Sequence, residues 1–321
     1  MLSDAERRFF AAADPYGFIL FKRNVADPAQ VRALVAELRA AVGRDAPILI
    51  DQEGGRVARL GAPHWPSLPP QRAIGFRAER DRRAGQAAAR ALGRVIGSML
   101  ADLGIDVACA PVTDLLLPET HAVIGDRAFS ADPGLVGVLA EAVAFGLRDA
   151  GVTPIVKHIP GHGRATADSH LDLPRISTSN AILEDTDFAA FRAVADTPWA
   201  MVAHCVYTEI DPNLPASISP AGIAAIRDRI DFQGVLIADD IGMKALKGTP
   251  ADNAAATLAA GCDLTLHCNG NLQEMQEIAP AVHSLTGAAI ERLAAGTAWM
   301  RQGRSAFDPA AELALLTGLA S

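Results

Sequence analysis

The sequence predicts an α/β fold made of repeated βα units: a (β/α)8 barrel of the TIM type or, on the repeat alone, a doubly wound sheet. Three observations carry this expectation. Short apolar runs alternate with amphipathic stretches along the chain. The runs are not polar at alternate positions, which marks strands buried on both faces. Most of the runs also end in titratable residues, as barrel strands do at the face where an active site is built.

The runs cover residues 17–21, 46–51, 105–111, 153–157, 200–206, 234–239 and 263–268. Between them, Asp27 and Pro28 supply the N-cap and first position of a helix. Further helices are expected over residues 82–103, 133–150, 184–194, 220–230, 252–260, 272–285 and 287–301. Ahead of the first run, Ser3 and Glu6 have the spacing of a capping box. Seven strands fall one short of a complete barrel, so the first strand is expected to be lacking or irregular. No linker, low-complexity tract or repeat divides the chain, and residues 1–321 are expected to form a single catalytic domain.

Composition narrows the function. Half of the residues are hydrophobic and the formal net charge is -8, which disfavours a nucleic-acid partner. No window is apolar for the roughly 18 residues that a membrane span needs. The opening MLSDAERRFF carries charges where an export signal would be apolar, so a cytoplasmic location is expected. Cys109, Cys205, Cys262 and Cys268 form no C-x-x-C pair and read as buried, reduced thiols.

The strand ends carry the chemistry: Asp51, Lys157 with His158, His204, Asp239 with Asp240, and His267. The segment KHIPGHGRATADSHLDLP, residues 157–174, holds three His, two Asp, a Lys and an Arg. Pro160, Gly161 and Gly163 forbid a helix there, leaving a long loop of the kind that is usually functional. Zinc held by His158, His162 and His170 is one reading, although Pro160–Gly161 breaks the helical face that a four-residue His spacing needs. In the other reading, Asp168 fixes the tautomer of His170 and tunes it for proton transfer. Asp168 capping a turn beside a solvated His170 is the plainer alternative. Adjacent Asp239 and Asp240 point in different directions, so one can be a nucleophile while the other caps or orients, unless both only cap. In DQEGGRVARL a Gly-Gly turn separates an acid pair from two Arg. It lacks the Gly-Lys-Ser/Thr ending of a phosphate loop, and suits either sugar hydroxyls or a surface ion-pair cluster.

Taken together, ILIDQEGGRVARL, GDRAF, VKHIPGHGRATADSHLDLP and the Asp-Asp of GVLIADDIGM resemble glycoside hydrolase family 3, and most of all its bacterial β-N-acetylglucosaminidases. The resemblance runs from about residue 17 to the C-terminus. It implies a (β/α) barrel in which Asp239 is the nucleophile, His170 the general acid/base and Asp168 its partner. It implies that Asp51, Arg59, Arg127, Lys157 and His158 hold the terminal N-acetylglucosamine, with Asp114 and His204 in matching strand-end segments. The implied substrate is a muropeptide or chito-type sugar, cut without metal or cofactor by a monomer or weak homo-oligomer. Gly161 and Gly163 are expected to let the loop carry His170 in and out. Two departures stand out: Ala238 replaces the Ser that relatives usually have before the nucleophile, and the relatives' N-terminal strand has no counterpart. A phosphorylase, a β-glucosidase or β-xylosidase of the same family, and a non-catalytic sugar-binding protein are the rival functions.

Overall fold

The computed structural model describes residues 1–166, 172–303 and 305–319. Seven strands form one parallel sheet in chain order: β1 (Phe18–Leu20), β2 (Ile48–Ile50), β3 (Val107–Ala108), β4 (Thr153–Ile159), β5 (Trp199–Val202), β6 (Val235–Asp240) and β7 (Leu264–Leu266). Each strand pairs with its sequence neighbour and helices return the chain between them, the arrangement a βα repeat dictates.

Side-chain alternation shows that the sheet curls into a barrel. Leu49, Val107, Ile155, Trp199, Met201, Val235, Ile237, Leu264 and Leu266, with half-buried Ile19, pack together as one interior cluster drawn from all seven strands. Their strand neighbours Ile48, Ile50, Ala108, Val156, Ala200, Val202, Leu236 and Ala238 face outward into the larger core beneath the helices. Tyr16, just before β1, reaches Trp199 on β5 with 6.1 Å between ring centroids. The fold is therefore the expected TIM-type barrel, with an irregular seam. Among the described residues no strand lies between β1 and β7. At the top of that seam the Arg23 guanidinium donates to the Cys268 carbonyl, tying the segments that follow the two edge strands.

The helices follow their caps. Ser3 and Glu6 make the expected capping box on α1 (Asp4–Ala13), and Asp27 caps α2 (Pro28–Val42). Two helices went unforeseen. One is α3 (Gln71–Arg80), which has few apolar residues and follows a Pro-Pro pair; the other is Pro309–Leu316 near the C-terminus. The helix expected over residues 184–194 is two pieces, Asn180–Asp185 and Asp187–Arg192, because Thr186 leaves helical geometry at φ −124°, ψ −88°. Among the described residues no helix is long and apolar enough to cross a membrane. All four cysteines are free thiols, and three of them are buried.

Candidate active site

Strand parity places the first ring of polar side chains. Asp51 continues the inward series of Leu49, Lys157 that of Ile155, and Asp239 that of Val235 and Ile237, so all three turn into the barrel mouth. Asp240 has the opposite parity. Its Oδ1 accepts from the amides of Gly242 at 3.1 Å and Cys268 at 3.0 Å, which joins the ends of β6 and β7. The two adjacent acids thus have different surroundings, as the sequence suggested. Ala238 faces the outer core and not the mouth.

Beyond Asp51 the chain turns back in a hairpin of Gln52–Gly54 against Val57–Ala58. Gln52 is buried and closes the turn: its Oε1 accepts from the amides of Arg59 at 2.8 Å and Leu60 at 3.0 Å, and its Nε2 donates to the Leu60 carbonyl at 3.1 Å. Gly54 has φ 92°, and a Cβ there would meet the Pro69 carbonyl oxygen at 2.5 Å. With Gln52 turned away, Glu53 shares the side of Asp51 and enters the mouth.

The result is a chain of ion pairs across the pocket floor. Arg59 Nη2 pairs with Asp51 Oδ2 at 2.9 Å, and Lys157 Nζ with Asp51 Oδ1 at 2.9 Å and Glu53 Oε1 at 2.7 Å. Arg127 grips Glu53 with two parallel bonds of 2.9 Å, and its Nη2 stands 3.4 Å from His158 Nε2. Glu53 was not among the sequence-derived site residues. Its spacing from Asp51, two residues on an extended segment, is the signal that points to it.

Under this floor lies Asp114, completely buried. Its Oδ2 accepts from His158 Nδ1 at 2.7 Å and its Oδ1 from the His162 amide at 2.7 Å. A register shift in β4 between Lys157 and Ile159 lets both Lys157 and His158 reach the site from adjacent positions. His204 is also buried with both ring nitrogens engaged: Nδ1 at 2.6 Å from Ser217 Oγ and Nε2 at 3.0 Å from the Asp240 carbonyl oxygen. A carbonyl can only accept, so Nε2 carries the proton and Ser217 donates to Nδ1. Asp114 and His204, expected among the sugar-binding residues, are therefore buried behind the side chains that line the barrel mouth.

Electrostatics follows from these contacts. Burial pushes the carboxyl of Asp239 upward, but His158, the Asp240 amide at 2.8 Å and Lys157 outweigh it, leaving Asp239 below the usual carboxylate range. Burial likewise opposes ionisation of Asp51 and Glu53, yet their cationic partners hold both low. Lys157 is held above its ordinary value, for burial is overcome by Asp51 and Glu53. The site thus keeps its carboxylates charged and its lysine protonated.

His170 and Asp168 lie outside the described residues. The root of their loop is described and firmly held. Tyr207 Oη donates to the Gly161 carbonyl at 2.6 Å, Thr120 Oγ1 to the Gly163 carbonyl at 2.6 Å, and Arg164 pairs with Asp187 at 2.6 Å. A Cβ on Gly161 would press on Asp187 at 2.9 Å, and one on Gly163 would strike the Leu115 carbonyl oxygen at 2.2 Å. Close approach of these neighbours leaves no room for a side chain at either glycine, and Gly161 also has φ 137°. No group of three His, Cys, Asp or Glu among the described residues is arranged to hold a metal ion.

A barrel with this ring of carboxylates and cations at the C-terminal ends of its strands is the scaffold of a carbohydrate-cleaving enzyme. The family model for the glycosyl hydrolase family 3 N terminal domain matches residues 4–295. The chain is 38% identical over 273 residues to a beta-hexosaminidase of Alkalilimnicola ehrlichii, covering 84% of this chain and 78% of that protein. A beta-hexosaminidase of Xanthomonas axonopodis pv. citri is 37% identical over 294 residues, covering 90% and 87%. Among solved structures, NagZ from Neisseria gonorrhoeae in complex with N-trifluoroacetyl-D-glucosamine superimposes with a TM-score of 0.88 at 32% identity, covering 100% of this chain and 95% of that one. The chain belongs to glycoside hydrolase family 3.

Proposed function

We propose that this enzyme is a retaining, exo-acting β-N-acetylglucosaminidase that removes terminal N-acetylglucosamine from peptidoglycan fragments in the cytoplasm. The acetamido preference and the muropeptide substrate rest on the sequence resemblance, together with the beta-hexosaminidase names of relatives and the sugar analogue in the Neisseria NagZ complex. The mechanistic part rests on one observation: an inward-facing Asp239 whose carboxylate is kept ionised by His158, the Asp240 amide and Lys157.

In this reading Asp239 attacks the anomeric carbon while His170 gives a proton to the leaving oxygen. A covalent glycosyl-enzyme forms. His170 then takes a proton from water, the water oxygen bonds to the anomeric carbon, and the bond to Asp239 breaks. Two displacements return the original configuration. Asp51, Arg59, Lys157 and Arg127 orient the sugar's hydroxyls, and because each donor is already fixed by a carboxylate, little is lost on binding.

The test is hydrolysis of the 4-nitrophenyl β-glycosides of N-acetylglucosamine and glucose by the wild type and by Asp239→Ala and His170→Ala variants. The proposal expects activity on the N-acetylglucosaminide alone, a loss of at least about a thousandfold in Asp239→Ala, and a strong fall in His170→Ala. Equal activity on both glycosides contradicts the substrate class. Full activity in Asp239→Ala contradicts the role of Asp239.

A further inference from the structure

Each permanent cation on the described pocket floor is already committed to a carboxylate. Arg59 pairs with Asp51, Lys157 with Asp51 and Glu53, and Arg127 with Glu53. Glu53, like Asp51, serves two of them, and its side chain is 1% exposed. It is too deep to act as the sugar's principal partner. Arg127 and Lys157 nonetheless stand on either side of it, 11% and 3% exposed. Without Glu53 these two would form a forked guanidinium beside an ammonium, a pairing suited to tetrahedral oxyanions.

We propose that Glu53 is a specificity-determining residue: together with Asp51 and Asp239 it balances Arg59, Arg127 and Lys157, so that the pocket offers hydrogen-bond donors to an uncharged sugar but no net positive charge to inorganic phosphate. An arriving phosphate would meet cations already satisfied and carboxylates that repel it. Water, being neutral, carries no such penalty as the acceptor of the glycosyl group. The inference deepens the hydrolase reading and rests on it for the identity of that acceptor.

The sequence could not show this, because Glu53 reads as one more acid in DQEGGRVARL. The folded chain shows it, for the buried Gln52 aims Glu53 at the gap between β4 and the Gly125–Arg127 turn. A purely structural Glu53 would tie the hairpin to β4 with no bearing on anions. Phosphate affinity separates the two roles.

Inorganic phosphate is titrated calorimetrically into the wild type, Glu53→Gln and the double variant Glu53→Gln/Arg127→Gln, each first checked for a cooperative thermal melt. The wild type should show no binding. Glu53→Gln, which keeps the shape but not the charge, should bind phosphate at least about tenfold more tightly than the wild type, as expected when a like charge beside the ligand is removed. The double variant should lose that gain. Phosphate binding by the wild type at low millimolar concentration overturns the proposal, and that arm does not depend on any variant folding. Equal phosphate affinity in the wild type and Glu53→Gln also overturns it. Calorimetry needs no turnover, so failure on the N-acetylglucosaminide would sink the functional reading and leave this test readable.

Discussion

Asp114 carries His158 from below: His158 Nδ1 donates to Asp114 Oδ2 at 2.7 Å, and the same carboxylate accepts the amide of His162 at the root of the histidine-rich loop. One buried acid therefore orients an imidazole in the pocket and fixes the start of the neighbouring loop. Asp114→Asn should keep the shape but set an NH2 group against a donor. Since hydrogen bonds to charged groups contribute about 1.5–3 kcal/mol, kcat/KM should fall roughly tenfold to a hundredfold. Kinetics at constant pH check this; an unchanged kcat/KM would remove Asp114 from the account.

His204 holds the end of β6, beside Asp239, through the Asp240 backbone carbonyl, and Ser217 holds His204. Ser217→Ala leaves Nδ1 of a buried imidazole unsatisfied. A single neutral hydrogen bond is worth about 1 kcal/mol, so a loss of about fivefold in kcat with little change in KM is expected. Steady-state kinetics on the N-acetylglucosaminide provide the check, and a change confined to KM would contradict the role.

Acid should destabilise the protein before its carboxylates titrate. Burial, and next to it His158, push His162 down to about 4, although Asp114 opposes them. The unfolded chain takes up this proton near pH 6.5. Between those values the unfolded state binds more protons, so stability falls as pH drops, by up to about 3 kcal/mol. His204, also held low by burial, acts in the same direction. Thermal melts from pH 7 to pH 4 should show the decline, and His162→Asn should flatten it. An identical slope in that variant would contradict the assignment.

The loop root should be costly to disturb. Arg164 pairs with the buried Asp187 and donates to Thr186 Oγ1 at 2.9 Å. Arg164→Met leaves the Asp187 carboxylate buried without its partner, which costs about 3–5 kcal/mol. A clear fall in melting temperature is expected, and a melt within a degree of the wild type would show that the pair is dispensable.

Legibility in the sequence followed the distance from a strand end. All seven strands could be read from their apolar runs, and Asp51, Lys157 and Asp239 from the positions where those runs stop. What alternation could not give was the path of the chain after β2. The Gly-Gly turn was visible, but not that Gln52 would close it and so aim Glu53 inward. Asp114 and His204 were expected at the sugar from the family resemblance; their burial behind the mouth-lining side chains comes from tertiary packing, which no local pattern encodes. The short α3 was hidden because its stability derives from docking on α4 (Arg82–Asp102) and not from its own composition.

The central claim is that Asp239 forms the bond to the sugar. It is tested most directly by incubating the enzyme with a 5-fluoro N-acetylglucosaminyl donor that accumulates the glycosyl-enzyme, then digesting the protein and sequencing the labelled peptide by mass spectrometry. The account predicts one added fluorosugar on the carboxyl of Asp239, absent in Asp239→Asn. A label on another residue, or turnover by Asp239→Asn at the wild-type rate, would contradict it.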